Sequence, residues 1–181
     1  MPPSKAEIDQ KAVRFGPKTR QKLLVLDMDE TMLHTKFYAH TGDFQAAGLQ
    51  LVNGVLEFNA LISGASSTNP GQPETVRLNV KIRQHLEDVL QYLASMYEIC
   101  VFTAGEQGYA DTVLDFIDED YQIIKHRLYR HHCVMPAPGI YVKDLRIIAD
   151  RDLKDIIIVD NSIISFAFNL SNGVPISAFT G

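Results

Sequence analysis

Three short apolar runs stand out along the chain, and each has a polar residue at its carboxyl end. The runs cover residues 22–28, 99–102 and 156–159, and the polar residues are Asp27, Thr103 and Asp160. Runs with almost no polar interruption are typical of strands that are buried on both faces inside a parallel sheet. The pattern therefore predicts a parallel sheet with a cluster of polar side chains at one edge.

Helical periodicity separates these predicted strands. Leu86, Val89, Leu90, Leu93 and Met96 recur at spacings of three and four, which predicts an amphipathic helix over residues 86–96. A second helix is predicted over residues 105–117, and a less regular strand over residues 123–128. Alternating strands and helices indicate an α/β fold, with a central parallel sheet flanked by helices.

The pattern changes between the first strand and the first helix. Alternating segments flank Asn53-Gly54, a strong signal for a β-hairpin, so a small antiparallel hairpin insertion is predicted at about residues 48–76. Residues 63–73 have the composition of a mobile loop, and residues 76–80 alternate as a strand does. We interpret residues 1–20 as a polar N-terminal arm and residues 21–181 as one domain.

Composition and charge narrow the function. A length of 181 residues fits one domain, and a net charge of −5 argues against direct nucleic-acid binding, which needs a basic face. The apolar runs are far shorter than the roughly 20 residues of a membrane span, and no apolar signal segment begins the chain. We therefore expect an intracellular protein, nuclear or cytoplasmic, and we interpret Cys100 and Cys133 as buried thiols.

The polar residues at the strand ends carry the candidate chemistry. Ligands of open parallel sheets bind just beyond the carboxyl ends of the strands. In extended backbone, Asp27 and Asp29 point to the same side about 7 Å apart. A solvated strand end is the simpler reading of this pair, but Asp160 adds a third carboxylate if the strands are neighbours. Three acids at one edge need a cation, and oxygen ligands suit Mg²⁺.

Zinc is the weaker alternative for a metal. The candidate cluster His131-His132-Cys133 has adjacent ligands and no Cys-x-x-Cys pair to support it. We assign this cluster a structural role or a place at the rim of the substrate site.

Phosphoryl chemistry also needs donors to the transferred oxygens, and Thr103 and Lys143 are the candidates. Thr103 precedes a predicted helix, where its hydroxyl and the following amides either bind phosphate or cap the helix. Lys143 is either a phosphate ligand or an ordinary solvated lysine. Spacing alone does not decide either case.

Four ordered motifs resemble a known family. They are Val-Leu-Asp-Met-Asp-Glu-Thr at 25–31, Phe-Thr-Ala at 102–104, Tyr-Val-Lys-Asp-Leu at 141–145 and Val-Asp-Asn-Ser at 159–162. Together they resemble the small C-terminal-domain phosphatases, also called NLI-interacting-factor-like phosphatases, of the haloacid dehalogenase superfamily. The resemblance extends from about residue 22 to residue 179 and implies the Rossmann-like haloacid dehalogenase fold.

The resemblance implies roles for the catalytic residues. Asp27 would be the nucleophile that forms an aspartyl-phosphate, and Asp29 would protonate the leaving alkoxide and then deprotonate the attacking water. Thr103 and Lys143 would hold the phosphoryl oxygens.

The resemblance also implies a metal site and a substrate entrance. Mg²⁺ would bind Asp27, the backbone carbonyl of Asp29 and Asp160, with Asn161 completing or orienting the site. Tyr109 and Arg130 match positions that line the substrate entrance in relatives. One departure is Arg83-Gln84-His85, where relatives commonly have an Arg-Pro pair.

The function implied by the resemblance is a Mg²⁺-dependent serine/threonine protein phosphatase. Its substrate would be an extended phosphorylated segment, such as the C-terminal domain of RNA polymerase II, and we expect a monomer. Two alternatives stay open at this point: a protein-binding module on the same fold, and a small-molecule phosphatase.

Overall fold

A computed structural model describes residues 2–39, 50–52, 55–65, 73–118 and 120–181. These residues form three α-helices, eleven strands and several single turns of 3₁₀-helix. The helices are α1 (Lys5–Gln10), α2 (Leu86–Met96) and α3 (Gln107–Ile117). The strands are β1 (Lys22–Leu26), β2 (Leu33–Ala39), β3 (Gln50–Val52), β4 (Val55–Ala65), β5 (Pro73–Ile82), β6 (Tyr97–Phe102), β7 (Ile124–Leu128), β8 (Val134–Ala137), β9 (Ile140–Val142), β10 (Ile156–Asp160) and β11 (Gly173–Pro175).

The predicted parallel sheet is confirmed. Its strands lie in the order β11-β10-β1-β6-β7, and each neighbouring pair is parallel. β1 is central, and its last residue Leu26 pairs with Val159 of β10 and Val101 of β6. The carboxyl ends of the three apolar strands therefore lie side by side, which brings the polar residues that follow them to one edge of the sheet, as predicted.

The two faces of β1 enter two different parts of the core. Leu23 and Val25 pack into one apolar cluster, while Leu24 and Leu26 pack into the other. Successive side chains of a strand point to opposite faces, so a strand buried on both faces must be apolar at every position. This is why β1 is an unbroken apolar run from Leu23 to Leu26.

Helices α2 and α3 cover one face of this sheet. Helix α2 has the predicted bounds, and Leu86 and Leu90 on its inner side are buried. Helix α3 begins at Gln107, two residues later than predicted, with Glu106 as its N-cap. The delay matters because it leaves Thr103 in the turn before the helix instead of at its cap.

The insertion is larger than the predicted hairpin. Val52 pairs with Val55, which confirms the hairpin, while Asn53 and Gly54 themselves lie outside the described residues. The described strands form an antiparallel sheet in the order β2-β5-β4-β3. Strand β2 was not predicted, because its sequence mixes polar and apolar residues without clean alternation.

The prediction of a loop over residues 63–73 is wrong at both ends of that range, where the structure has strands. Strand β4 continues to Ala65 and β5 begins at Pro73, with these two residues paired. Ladder hydrogen bonds join backbone groups, so small and polar residues can extend a strand beyond its apolar pattern. Residues 66–72 lie outside the described part of the chain.

The N-terminal arm contains a helix that contacts the domain. Ser4 and Glu7 form a reciprocal capping box at the start of α1, and Ile8 is buried in the core. Val13 forms a backbone bridge with Ile148. The sequence contains the Ser-x-x-Glu spacing of a capping box, so the start of this helix could have been predicted from it.

The cysteines and the helix lengths agree with the sequence analysis. Cys100 and Cys133 are buried and free, as predicted. Among the described residues, no helix is long and apolar enough to cross a membrane.

Candidate active site

The predicted site residues converge at the carboxyl edge of the parallel sheet. Asp27 directly follows β1 and its N–H bonds the carbonyl of Val159 at 3.0 Å. Asp160 ends the neighbouring β10, and Thr103 follows β6 on the other side. Lys143 enters from outside the sheet, just after β9. Elements far apart in sequence therefore deliver four polar side chains to one place.

Lys143 is the centre of this cluster. Its ammonium donates to Asp27 Oδ1 and, at 2.7 Å, to Asp160 Oδ2, and the residue is only 1% exposed. Burial alone would lower the pKa of Lys143, but the charges of Asp27 and Asp160 outweigh burial and raise it. The solvated alternative for Lys143 is wrong, since a buried lysine needs such partners to stay charged.

Asp29 lies in a different environment from Asp27. Its carboxylate accepts hydrogen bonds from the Tyr109 hydroxyl and, at 3.4 Å, from the Thr103 hydroxyl. Burial raises the pKa of Asp29 to about 6; the Tyr109 hydrogen bond opposes this shift and the Asp27 charge adds to it. Near neutral pH this carboxyl can therefore both donate and accept a proton.

Thr103 does not cap helix α3. Its hydroxyl accepts the N–H of Gly105 at 2.8 Å and so closes a tight turn ahead of the helix. A Cβ on Gly105 would lie 3.1 Å from both Thr103 Oγ1 and the Tyr109 ring, so a side chain there would crowd the pocket. The absence of a side chain keeps this turn close to Asp29.

Asn161 lies beside the carboxylates and is held by the loop after β1. Its backbone N–H bonds Thr31 Oγ1 at 3.2 Å, and its side-chain amide donates to Glu30 at 3.1 Å. The next residue, Ser162, donates its N–H to Asp160 Oδ1 at 2.8 Å. The loops after β1 and β10 are therefore joined to each other around Asp160.

Tyr109 and Arg130, predicted at the substrate entrance, occupy different positions. Tyr109 is within the cluster: besides Asp29, its hydroxyl bonds Thr35 Oγ1 at 2.7 Å, and its ring contacts Phe37. Thr35 was missed because it lies on β2, whose pattern did not predict a strand.

Arg130 lies beside the turn that follows β6. Its Nε donates to the Ala104 carbonyl at 2.6 Å, and its guanidinium pairs with Glu106 at 2.8 Å. The same group lies 5.1 Å from the centre of the Tyr141 ring. These contacts place Arg130 at the rim and not among the carboxylates.

The His131-His132 pair has a local structural role. His132 Nδ1 accepts the N–H of Tyr129 at 3.0 Å, and the two imidazole rings are 4.0 Å apart. Burial lowers the pKa of His132 to about 4, with the neighbouring His131 adding to the shift, so the ring stays neutral and able to accept. Within the described ranges, no three His, Cys, Asp or Glu side chains form a metal-binding group.

The predicted magnesium donors are of a different kind: two carboxylates, one amide and one backbone carbonyl. Asp27 and Asp160 are close enough to share one ammonium, and Asp29 adds a third acid nearby. One ammonium cannot balance these charges when all are ionised. A hard divalent cation fits both the donor chemistry and the excess negative charge.

Comparisons with known proteins agree on one family. A family model described as NLI interacting factor-like phosphatase matches residues 22–181. CTD small phosphatase-like protein 3 of Caenorhabditis elegans is 35% identical over 99% of this chain and 56% of that protein. The probable C-terminal domain small phosphatase of Dictyostelium discoideum is 38% identical over 87% of this chain and 44% of that protein.

A solved structure shares the fold. The structure of Fcp1, described as an essential RNA polymerase II CTD phosphatase, superposes with a TM-score of 0.64 at 19% identity, covering 88% of this chain and 42% of that one. CTD nuclear envelope phosphatase 1B of Danio rerio is 31% identical over 88% of this chain and 60% of that protein. The chain thus spans about half the length of the curated relatives it matches.

Proposed function

The chain belongs to the NLI interacting factor-like phosphatase family, and from this premise we propose that it is a Mg²⁺-dependent phosphatase of phosphoserine and phosphothreonine. The reaction passes through an aspartyl-phosphate on Asp27. The substrate is an extended phosphorylated protein segment, such as the C-terminal domain of RNA polymerase II.

The observation that carries this proposal is the contrast between two neighbouring carboxyl groups. The Asp27 carboxylate is paired with the buried Lys143 ammonium, whereas the Asp29 carboxylate accepts hydrogen bonds from the Tyr109 and Thr103 hydroxyls. Burial raises the pKa of both groups, that of Asp29 to about 6. Two acids in different surroundings, one facing an ammonium and the other facing hydroxyls, can take the roles of nucleophile and proton donor.

In the first half of the reaction, a carboxylate oxygen of Asp27 attacks phosphorus. The bond between phosphorus and the seryl oxygen breaks, and Asp29 in its acid form gives its proton to that oxygen. An alkoxide is a poor leaving group, so this proton transfer is worth about 10²–10⁴-fold in rate. The products are the free hydroxyl side chain and an acyl phosphate on Asp27.

In the second half, Asp29 is a carboxylate and takes a proton from water. The water oxygen attacks phosphorus, the bond to Asp27 breaks, and inorganic phosphate leaves. Asp27 returns as a carboxylate and Asp29 as an acid, so both groups are ready for another cycle. The Tyr109 hydroxyl holds the Asp29 carboxylate in place through both proton transfers.

Positive charge and hydrogen-bond donors for the phosphoryl oxygens come from two residues. The Lys143 ammonium is buried and therefore acts at a low effective dielectric, where its attraction for developing charge is strong. The Thr103 hydroxyl lies on the side of Asp29, so the two donors approach the phosphoryl group from different directions. Neither residue distinguishes one phosphoprotein from another.

Mg²⁺ would be held by Asp27, Asp160, the Asp29 backbone carbonyl and Asn161. When bound, it supplies charge neutralisation for the phosphoryl oxygens and orients Asp27 for attack. The hydrogen bond from the Ser162 N–H to Asp160 orients the second carboxylate.

A protein segment as substrate is supported by the surface next to the pocket. Phe37 is 55% exposed and contacts Tyr109, which in turn bonds Asp29. An exposed aromatic ring beside the reacting groups offers apolar contact to residues that flank the phosphorylated side chain. A free sugar phosphate has no such flanking groups.

The test compares phosphate release from phosphoserine peptides, p-nitrophenyl phosphate and sugar phosphates, with Mg²⁺ and with EDTA. We expect Mg²⁺-dependent turnover of peptides and aryl phosphate, and none with Asp27→Asn. Asp88→Asn is the matched control, because Asp88 is an exposed carboxylate at the start of α2. A preference for sugar phosphates would favour the small-molecule alternative, and inactivity on every substrate would favour the binding module.

A further inference from the structure

Glu30, between the proposed proton donor and Thr31, has an unusual backbone conformation. Its φ is +60°, in the left-handed region that residues with a side chain rarely adopt. Its N–H bonds the Leu33 carbonyl at 2.6 Å, which turns the chain sharply after Asp29. Such a conformation persists only where surrounding contacts hold it.

Two donors from distant parts of the chain hold the Glu30 carbonyl. The N–H of Phe179 donates to it at 2.7 Å, and the Arg83 guanidinium donates to it at 3.3 Å. Arg83 also donates to the Ser177 carbonyl at 2.6 Å and lies 5.3 Å from the centre of the Phe179 ring. The guanidinium and residues 177–179 therefore contact each other as well as Glu30.

Both donors are themselves anchored to the site. The backbone N–H of Arg83 bonds the Met32 carbonyl at 2.9 Å, in the loop after β1. The N–H of Ile176 bonds the Asp160 carbonyl at 3.1 Å, at the end of β10. Residues 176–179 thus connect the loop that carries Asp160 to the loop that carries Asp29.

We propose that Arg83 and residues 176–179 form a clamp on the Glu30 carbonyl that positions Asp29 for proton transfer. This inference rests on the proposed function. Arg83 is then a positioning residue: its guanidinium bonds the Glu30 and Ser177 carbonyls and its backbone N–H bonds the Met32 carbonyl, so it acts by fixing the backbone next to Asp29.

The clamp makes a specific kinetic prediction. Phosphoserine needs a proton on its leaving oxygen, whereas p-nitrophenolate leaves without one. Both substrates share the second half of the reaction, in which Asp29 takes a proton from water, so the difference lies in kcat/KM, which reports the steps up to phosphorylation of Asp27. A displaced Asp29 therefore lowers kcat/KM for the first substrate and spares kcat/KM for the second. A clamp that merely stabilised the fold would affect both substrates alike.

The experiment replaces each donor separately. Arg83→Met keeps the apolar stem and removes the guanidinium, while Phe179→Pro removes the N–H together with the ring beside Arg83 and keeps the guanidinium. We expect each variant to lower kcat/KM on a phosphoserine peptide about tenfold, a fraction of the general-acid contribution. The value of kcat/KM on p-nitrophenyl phosphate should change about twofold or less, because its leaving group needs no proton. Arg83→Lys should restore part of the peptide rate.

A second measurement does not depend on activity. Hydrogen exchange of the amides of Thr31, Met32 and Leu33, which all bond the Met28 carbonyl, should be faster in both variants. Arg20→Met is the matched control, because Arg20 also donates to two backbone carbonyls, those of Ser95 and Thr19. It should leave the rates and the exchange of residues 31–33 at wild-type values.

Equal losses of kcat/KM on both substrates, or unchanged exchange of residues 31–33, would overturn the clamp. If the wild-type protein hydrolyses neither substrate, the proposed function fails. The exchange measurement then decides by itself whether the contacts hold the Glu30 turn.

Discussion

Replacing Lys143 with methionine tests how much the buried cluster depends on one ammonium group. The side chain of methionine fills most of the space of the lysine stem, so little cavity is created. What is lost is the shared partner of Asp27 and Asp160, which are 6% and 1% exposed. Two buried carboxylates then face each other without a counter-charge.

The size of the effect follows from this burial. Removing one partner of a buried ion pair costs about 3–5 kcal/mol, because the remaining charge is left unpaired. For a domain of this size, each kcal/mol lowers Tm by about 2–4 °C, which gives a fall of roughly 6–20 °C. The total stability of a domain is about 5–15 kcal/mol, so we expect the variant to fold.

The assay is urea unfolding at neutral pH without Mg²⁺, followed by circular dichroism. Lys154→Met is the control, since Lys154 is 77% exposed in its pair with Asp152 and such pairs contribute about 0–1 kcal/mol. Folded Lys143→Met should also lose about 10²–10³-fold in kcat/KM on aryl phosphate. A free energy of unfolding within about 1 kcal/mol of wild type would refute the assigned burial and pairing of Lys143.

Two other regions give independent predictions. Gly173→Ala should cost about 1–3 kcal/mol by overpacking, because the new Cβ would clash with the Phe166 ring, whereas Gly108→Ala meets open space and should cost nothing. Arg151→Met should cost about 3–5 kcal/mol, because it leaves the buried Glu98 carboxylate without its guanidinium partner. Burial raises the pKa of Glu98, but the hydrogen bond from Arg151 outweighs burial and holds this pKa below its usual 4.5. The stability that the Glu98 carboxylate contributes is therefore present above pH 4.5 and lost as the pH falls further. In that pH range the urea unfolding midpoint of Glu98→Gln should depend less on pH than that of the wild-type protein.

The central sheet and the edge that carries the site could be predicted from the sequence. The runs 23–26 of β1, 99–102 of β6 and 156–159 of β10 are apolar at every position because both faces of the sheet are covered, and the polar residues after them mark the ligand edge. Helix α2 was predicted with its observed bounds, because its inner face repeats regularly.

The antiparallel sheet was only partly predictable. Strand β2 has one buried residue, Leu33, among the first six positions, so its side chains give no clear alternation. The long β4–β5 ladder depends on backbone pairing, which leaves little pattern in the side chains. Thr35, which reaches Tyr109 from β2, could not be found without that strand.

Long-range partners explain the remaining gap. Lysine is ordinarily solvated, and Lys143 is buried only because Asp27, 116 positions away, and Asp160 supply charges that no local pattern reveals. The link from Arg83 to Glu30 and Ser177 spans 53 and 94 positions and is equally invisible along the chain. The order of the motifs predicted that Lys143, Asp27 and Asp160 belong to one site, whereas their contacts became visible only in the structure.

The proposed mechanism depends above all on a covalent intermediate on Asp27. The most direct measurement is a rapid acid quench during turnover of a phosphoserine peptide that carries radiolabelled phosphate, followed by peptide mapping of the protein. We expect acid-stable label on the peptide that contains Asp27, formed in step with release of the dephosphorylated peptide and absent in Asp27→Asn. Full turnover with no labelled protein, or with the label on another residue, would contradict it.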